Sequence, residues 1–305
     1  MDAGRPPALI PALASLQDAD GSFPCQLSGG GLDAVDRNGF AVAQVLRALG
    51  PDAPAVLGRA GRDAALRMLQ RCRGPNGGFR FWPADLRPGW APDLAEDADD
   101  TAIMVLLLWR AGWLEREDAR RIACRTVVGH RLLATVQPGP PWARVGAFKT
   151  WLRPGPEPAI ADCTVNANAV ALLAALGLQR VPGYAEACAM IADAAVWAGE
   201  DEARAASLSP FYPEAGDLML AVEQAVAEGA GELEGVLAHM RTSPSWRRLR
   251  RRCLGPAPAI CGSPYGLVRW TCPTVGAARR LAVGLRFRMK DDIGADLGNH
   301  AGLAG

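Results

Sequence analysis

The chain has 305 residues, enough for one large domain or two small ones with a sizeable core. Its 33 basic and 32 acidic residues leave a formal net charge of +1, which argues against general nucleic-acid binding because that function needs a strong basic excess. Half of the residues are hydrophobic, but the longest apolar run, Ala102–Trp109, is far shorter than the roughly 18 residues that span a bilayer.

The cysteines and the N-terminus predict where the protein resides. Eight cysteines are scattered along the sequence, and no two of them form a Cys-x-x-Cys pair. Residues 1–11 lack the charged-then-apolar pattern of a signal peptide. We therefore expect reduced thiols in a cytoplasmic protein that is at most peripheral to a membrane.

The apolar residues recur at helical spacing along the chain. Examples are the segments Val42–Leu49, Ile103–Leu107 and Val170–Leu176. No alternating strand pattern of comparable length is present, so the sequence predicts an all-α fold.

The helices belong to a repeat. Leu16-Gln17, followed by Gly21-Ser22-Phe23, is echoed about 53 residues later by Leu69-Gln70 and Gly77-Gly78-Phe79. Each unit is a helix, a Gly-aromatic turn, a polar loop and a new apolar helix. Five to six such pairs predict a single α/α toroid over residues 1–285, with residues 286–305 as a frayed tail; an open solenoid would have the same local pattern.

The new helices start in similar ways. Aspartate and threonine recur there, and these residues satisfy the free amides and suit the positive end of a helix dipole. If the repeats are equivalent, these starts lie at the same end of the assembly. The sequence therefore predicts that Asp36, Asp99 and Asp162 surround one mouth.

Four carboxylates lie within five positions immediately before a very apolar helix: Glu96, Asp97, Asp99 and Asp100. Mutual repulsion and burial both disfavour their full ionisation, so one proton should be held tightly. A protonated aspartic acid above an apolar cavity is what the protonation of an alkene requires. The alternative is ordinary helix capping or a solvated acidic loop.

The stretch Asp97-Ala98-Asp99-Asp100-Thr101-Ala102 resembles the Asp-x-Asp-Asp-Thr-Ala motif of class II terpene cyclases. The Leu-Gln and Gly-x-Phe units resemble the repeats of the prenyltransferase and squalene cyclase superfamily. This resemblance implies that Asp99 is the general acid and that Asp97 and Asp100 hold and polarise it. It also implies a hydrophobic isoprenoid substrate, no redox cofactor, and magnesium only if the substrate carries a diphosphate.

Protein prenyltransferase β subunits share that superfamily barrel and bind zinc through Asp, Cys and His. Here Asp162 and Cys163 are adjacent, so their side chains would point in different directions from a helix start. His130, His239 and His300 have no recognisable ligand spacing. The sequence therefore predicts no metal site.

Several polar and aromatic residues could bind substrate near the mouth. Asp162 and Asn166 lie one turn apart and are candidates for substrate binding on a shared face. Either Asn166 or Asn168 could bind the acidic cluster, a substrate head group or a neighbouring helix. Tryptophans in the loops could line a cation-stabilising pocket or simply pack the loops on the barrel end. The aromatic candidates are Trp82, Trp90, Trp142, Trp151, Phe211 and Tyr212.

Basic residues offer further alternatives. Arg144, Lys149 and Arg153 could neutralise a diphosphate or lie in a solvated loop. The run Arg247–Arg252 could contact anionic lipid, or it could be one face of an exposed helix. The competing functional hypothesis is a non-catalytic barrel that carries an isoprenoid or docks on a partner, and a homodimer would supply a cover for the mouth.

Overall fold

The computed structural model describes residues 9–91, 94–153 and 159–285. The predicted tail, residues 286–305, and His300 lie outside these ranges. The helices, numbered α1 to α12 in chain order, are Leu9–Ala14, Gly39–Leu49, Ala53–Arg71, Ala98–Arg110, Arg116–Ala123, Cys163–Ala175, Tyr184–Ala198, Glu202–Ser207, Gly216–Ala227, Glu234–Thr242, Pro244–Arg252 and 273–285. A π-helical turn, Cys124–Val128, continues α5.

Four helices form the interior of the molecule. Helix α2 packs on α4, α4 on α6 and α6 on α9. Helix α6 is buried at every position from Cys163 to Ala174, as expected of a helix that is apolar on all sides. The intervening helices, such as α3, α5 and α7, each pack against this interior with one side. Inner and outer helices therefore alternate along the chain from α2 to α7.

The expectation of an all-α fold needs one correction, because the structure contains a small antiparallel sheet. Its strands are β1 (Cys25–Gly29), β2 (Leu32–Asp36), β3 (Ala259–Gly262) and β4 (Arg269–Thr271), in the spatial order β2-β1-β4-β3. The strands have three to five residues each, too few to show a clear alternation of polar and apolar side chains.

The sheet and α12 connect the two ends of the described chain. Strand β1 pairs with β4, with Leu27 opposite Trp270. Arg279 of α12 forms an ion pair with Asp217 of α9 at 2.7 Å and donates to Gln44 of α2 at 3.4 Å. Helix α12 thus bridges the last and the first of the four interior helices.

Within the described ranges, no helix combines the length and the apolar character that crossing a membrane requires.

Candidate active site

Asp97 starts helix α4 as its N-cap. Its Oδ1 accepts a hydrogen bond from the backbone N–H of Asp100 at 2.7 Å. Asp162 has the same role at the start of α6, where it accepts from the N–H of Val165 at 3.0 Å. Asp162 is therefore equivalent to Asp97, and Asp99 lies two residues further along, on the first turn.

Glu96 is bonded to the neighbouring repeat turn. Its two carboxylate oxygens accept hydrogen bonds from the N–H groups of Asn76 and Gly78, each at 2.9 Å. The acidic motif that remains consists of Asp97, Asp99 and Asp100, all buried.

Asp99 receives hydrogen bonds from two other parts of the chain. The amide of Asn168, on α6, donates to its Oδ1 at 2.6 Å, and the hydroxyl of Tyr212, just before α9, donates to its Oδ2. Burial raises the pKa of Asp99, while these two bonds and the charge of Arg47 oppose the rise. Both oxygens of Asp99 are thus held in place by donors that also stabilise its anion.

Asp97 and Asp100 are two buried carboxyl groups at the start of α4. Burial raises the pKa of Asp97 to about 7, and the negative charge of Asp99 adds to this rise. Burial and the neighbouring Asp97 raise the pKa of Asp100 well above its usual range. Oδ1 of Asp100 has no hydrogen-bond partner among the described residues. Burial and the neighbouring carboxyl group thus both favour the protonated form of Asp100.

The acidic motif lines a cavity of about 220 Å³, which we call the aromatic cavity. Its walls are largely apolar and include four of the nine tryptophans of the chain. Ring contacts join these walls, such as the edge-on contact between Trp151 and Phe211 at 5.8 Å. The aromatic lining residues are Phe40, Phe81, Trp82, Trp90, Trp151, Phe211, Tyr212 and Trp270.

Asp36 positions two of these tryptophans. The indole N–H of Trp82 donates to Asp36 Oδ1 at 2.9 Å, and the indole N–H of Trp270 donates to Asp36 Oδ2 at 2.7 Å. Asp36 ends β2 and Trp270 lies in β4. The small sheet therefore builds one wall of the aromatic cavity.

The structure brings some of the predicted substrate-binding residues together with the acidic motif. Trp82, Trp151, Phe211 and Tyr212 all line the aromatic cavity, as does Trp90. Trp142 is buried and is not among the residues that line it.

Asp162 and Asn166 do not line the aromatic cavity. Besides capping α6, the carboxylate of Asp162 accepts from the N–H of Phe211 at 3.2 Å. Asn166 bonds both backbone groups of Phe148, at 2.9 and 3.1 Å. Both residues therefore tie the loops of the mouth to α6, while the neighbouring Asn168 contacts Asp99.

Part of each predicted basic cluster has acidic partners. Arg144 forms an ion pair with Asp193 of α7. In α11, which contains the basic run, Arg248 and Arg252 pair with Glu202, and Arg250 pairs with Glu223. In the described part of the chain, we find no group of three or more His, Cys, Asp or Glu side chains that could hold a metal ion.

The sequence alone did not single out several residues of the site. Phe40, Phe81 and Trp270 line the aromatic cavity, and Arg47 lies close enough to influence Asp99. Phe40 directly follows the first residue of α2, so the repeat of helix starts could have predicted that it lies near the site. Trp270 reaches the site only through the pairing of β1 with β4, for which the sequence carries no local signal.

The sequence matches no protein-family model and no curated protein. The structure is similar to that of a variant of the type II terpene cyclase MstE from Scytonema in complex with geranylgeranyl dihydroxybenzoate, with 15% identity, a TM-score of 0.46, and coverage of 92% of this chain and 76% of that chain. A complex of that cyclase with merosterolic acid A gives 15% identity, a TM-score of 0.45, and coverage of 92% and 78%. The structure is also similar to that of a protein from Actinoplanes, with 17% identity, a TM-score of 0.41, and coverage of 90% of this chain and 97% of that chain.

Proposed function

We propose that this chain is a class II terpene cyclase-like enzyme that cyclises a linear isoprenoid after protonating it, with Asp99 as the general acid. One observation carries the proposal: a buried aspartic acid, held by two donors, lines a largely apolar cavity walled by aromatic rings. The resemblance of Asp97–Ala102 to the cyclase motif supports it from the sequence.

The first step transfers a proton from the carboxyl group of Asp99 to a terminal alkene or epoxide of the substrate. With an alkene, the π electrons form the new C–H bond, and the electrons of the O–H bond remain on Asp99. The hydroxyl of Tyr212 and the amide of Asn168 stabilise the carboxylate formed in this step. Burial raises the pKa of both Asp97 and Asp100, which favours their protonated forms and keeps the negative charge beside Asp99 low.

The cation formed in this step needs an environment that neither captures nor destabilises it. Aromatic faces attract cations through their π electrons, and an apolar wall excludes the water that would quench the cation. The rings of Phe40, Phe81 and Trp151 line the same cavity as Asp99. Ring closure followed by loss of a proton then gives a cyclic isomer of the substrate.

The same proposal includes the architecture. Helices α2, α4, α6, α9 and α12 close into one toroid, and residues 1–285 form one domain. The ion pair of Arg279 with Asp217, its bond to Gln44 and the pairing of β1 with β4 support this closure. The protein works in the cytoplasm on a hydrophobic substrate, consistent with cysteines that are unpaired in the described residues.

Incubation with linear isoprenoids tests the proposal. Purified protein is given farnesyl diphosphate, geranylgeranyl diphosphate, geranylgeranyl dihydroxybenzoate or squalene, with and without magnesium, and products are identified by mass spectrometry. We expect a cyclic product from the wild type, none from Asp99→Asn, and wild-type yield from Asp118→Asn, which changes an exposed partner of Arg121. Binding of a substrate without formation of any cyclic product would contradict the proposal of an enzyme and support a non-catalytic isoprenoid-binding module.

A further inference from the structure

Two cysteines lie opposite each other in the small sheet. In the pairing of β1 with β4, Gln26 faces Thr271, and the next position of this antiparallel register places Cys25 opposite Cys272. The N–H of Cys272 donates to the carbonyl oxygen of Pro258 at 3.1 Å, so this residue still takes part in the ladder. Opposite residues of an antiparallel ladder have Cα atoms about 4.5–5.5 Å apart, and a disulfide requires about 4.4–6.8 Å. The backbone therefore places the two cysteines within the range of a disulfide.

The side chains of the two cysteines point to the same face of the sheet, and that face is buried. Side chains alternate between the two faces along a strand, and Leu27 and Trp270, each two residues from one of the cysteines, are both buried. Cys25 and Cys272 are themselves 1% and 0% exposed. The thiol of Cys272 donates to the carbonyl oxygen of Pro24 at 3.9 Å, directly beside Cys25. A hydrogen bond also joins the two thiols to each other.

The two thiols differ in their readiness to react. The hydrogen bond with Cys25 lowers the pKa of the Cys272 thiol, although burial opposes this effect. The backbone N–H groups of Thr274 and Val275, at the start of α12, lower the pKa of Cys272 further. The bond between the thiols and burial raise the pKa of Cys25 well above its usual range. A thiol of lowered pKa in contact with a second thiol is the arrangement that thiol–disulfide exchange requires of a nucleophile and its resolving partner.

We propose that Cys25 and Cys272 are a site of reversible oxidation, at which a low-molecular-weight disulfide converts the two thiols into an intramolecular disulfide. The Cys272 thiolate attacks one sulfur of the small disulfide, whose S–S bond breaks, and one small thiol leaves. Cys25 then loses its proton, attacks the sulfur of Cys272 and releases the second small thiol. Two protein thiols are thus oxidised, and one small disulfide is reduced to two thiols that carry the protons of the two cysteines.

The disulfide fastens β1 to β4, which lie near the two ends of the described chain. Strand β4 also carries Trp270, which lines the aromatic cavity, so oxidation fixes one wall of that cavity. A cross-link that closes a long loop restricts the unfolded chain more strongly than one that closes a short loop. The oxidised protein is therefore more stable than the reduced protein.

Equilibration of the full chain with glutathione tests the proposal. Cys124 is exposed, so the Cys124→Ser protein is used to prevent disulfides between molecules. It is incubated with oxidised or reduced glutathione, alkylated in acid and digested, and linked peptides are identified by mass spectrometry. Both sulfurs are buried, so the strand ends must open before reaction, and we expect oxidation over minutes to hours. The expected product has a peptide that links Cys25 to Cys272 and a Tm raised by roughly 5 °C, and dithiothreitol reverses both changes.

Single substitutions assign the linkage. Cys25→Ala and Cys272→Ala should each abolish the linked peptide and the rise in Tm. Cys261→Ala is the matched control, because Cys261 lies in the same sheet but faces Trp270, and this variant should keep both. If an alanine variant fails to fold, the peptide map of the Cys124→Ser protein identifies the linked pair by itself.

Three results would overturn the oxidation site. They are thiols of Cys25 and Cys272 that stay free or carry only glutathione, a disulfide that joins a different pair of cysteines, and a linked protein whose Tm equals that of the reduced protein. None of these measurements requires a cyclic product, so the oxidation site and the proposed function succeed or fail separately.

Discussion

The three aspartates of the acidic motif have the same side chain and three different environments. Asp97 caps a helix, Asp100 has an unpartnered oxygen, and Asp99 accepts bonds from two other parts of the chain. A general acid must become an anion when it gives up its proton. Since Asp99 receives side-chain donors on both oxygens, it is the member of the motif best prepared for that change.

Tyr212→Phe tests this view of Asp99. Removal of the hydroxyl takes one donor from the Asp99 carboxylate, so we expect the turnover rate to fall roughly tenfold to a hundredfold, given about 1.5–3 kcal/mol for a hydrogen bond to a charged group. The loss also raises the pKa of Asp99, so the decline of activity at high pH should move to higher pH. The pH–rate profile measures both effects.

Tyr184→Phe is the matched control, because its hydroxyl bonds Glu232 and Tyr184 does not line the aromatic cavity. Its profile should coincide with that of the wild type. A Tyr212→Phe enzyme with wild-type rate and profile would show that the hydroxyl does not stabilise the anion.

At the residue scale, the sequence predicts that an acidic and aromatic site exists better than it predicts which residues form that site. The spacing of Asp97, Asp99 and Asp100 and the loop aromatics are local features, so they can be recognised in the chain itself. The bond from Asn168 to Asp99 depends on how α6 lies against α4. An aromatic content of 6% likewise does not predict that eight rings meet in one cavity.

At the scale of elements, the helix starts combine capping with buried charge. Asp162 caps α6 and also accepts from Phe211, and burial raises its pKa to about 7. Its value in an unfolded chain is close to 3.8. At a pH between these two pKa values, Asp162 is protonated in the folded state and ionised in the unfolded state. The contribution of Asp162 therefore makes the free energy of unfolding decrease as pH rises from about 4 through about 7.

Asp162→Asn removes this titration while its amide oxygen can still cap α6. Urea unfolding at pH 5 and pH 8 should therefore give a smaller difference in the free energy of unfolding for the variant than for the wild type. Asp97 and Asp217 contribute in the same direction, so the difference should shrink and not vanish. Asp201→Asn, at the exposed cap of α8, should leave the difference between pH 5 and pH 8 unchanged. An equal effect of Asp162→Asn and Asp201→Asn would show that the titration of Asp162 does not cause this pH dependence.

The helices and the strands differ in how far the sequence predicts them. Helices α2, α4 and α6 are long and apolar, and a polar capping residue precedes each of them. The spacing of the apolar residues and the capping residue therefore predict the same helix. The strands have few residues, and β1 pairs with β4 across most of the chain. Their pairing depends on how segments from the two ends of the described chain come together, which no short segment encodes.

At the scale of the molecule, the ion pair between Arg279 and Asp217 connects α12 with α9. Both side chains are nearly inaccessible to solvent, at 8% and 3% exposure. Burial raises the pKa of Asp217 to about 6, although Arg279 opposes that rise. A buried pair of this kind adds little by itself, but the loss of one partner leaves an uncompensated charge.

Arg279→Met should therefore lower the free energy of unfolding by about 3–5 kcal/mol at pH 8, where Asp217 is ionised. The double variant Arg279→Met/Asp217→Leu should recover most of this loss because no unpaired charge remains. Arg248→Met, at an exposed pair with Glu202, should cost about 1 kcal/mol or less. A loss for Arg279→Met no larger than that of Arg248→Met would show that this pair does not stabilise the packing of α12 on α9.

The central claim is that cyclisation begins with a proton from Asp99, and cyclisation in heavy water tests it most directly. Because the carboxyl group exchanges its proton with solvent, the product formed in D₂O should contain one deuterium at the carbon of the former alkene, and Asp99→Asn should form no product. A cyclic product without solvent deuterium, or an Asp99→Asn enzyme that forms the labelled product at the wild-type rate, would contradict the account.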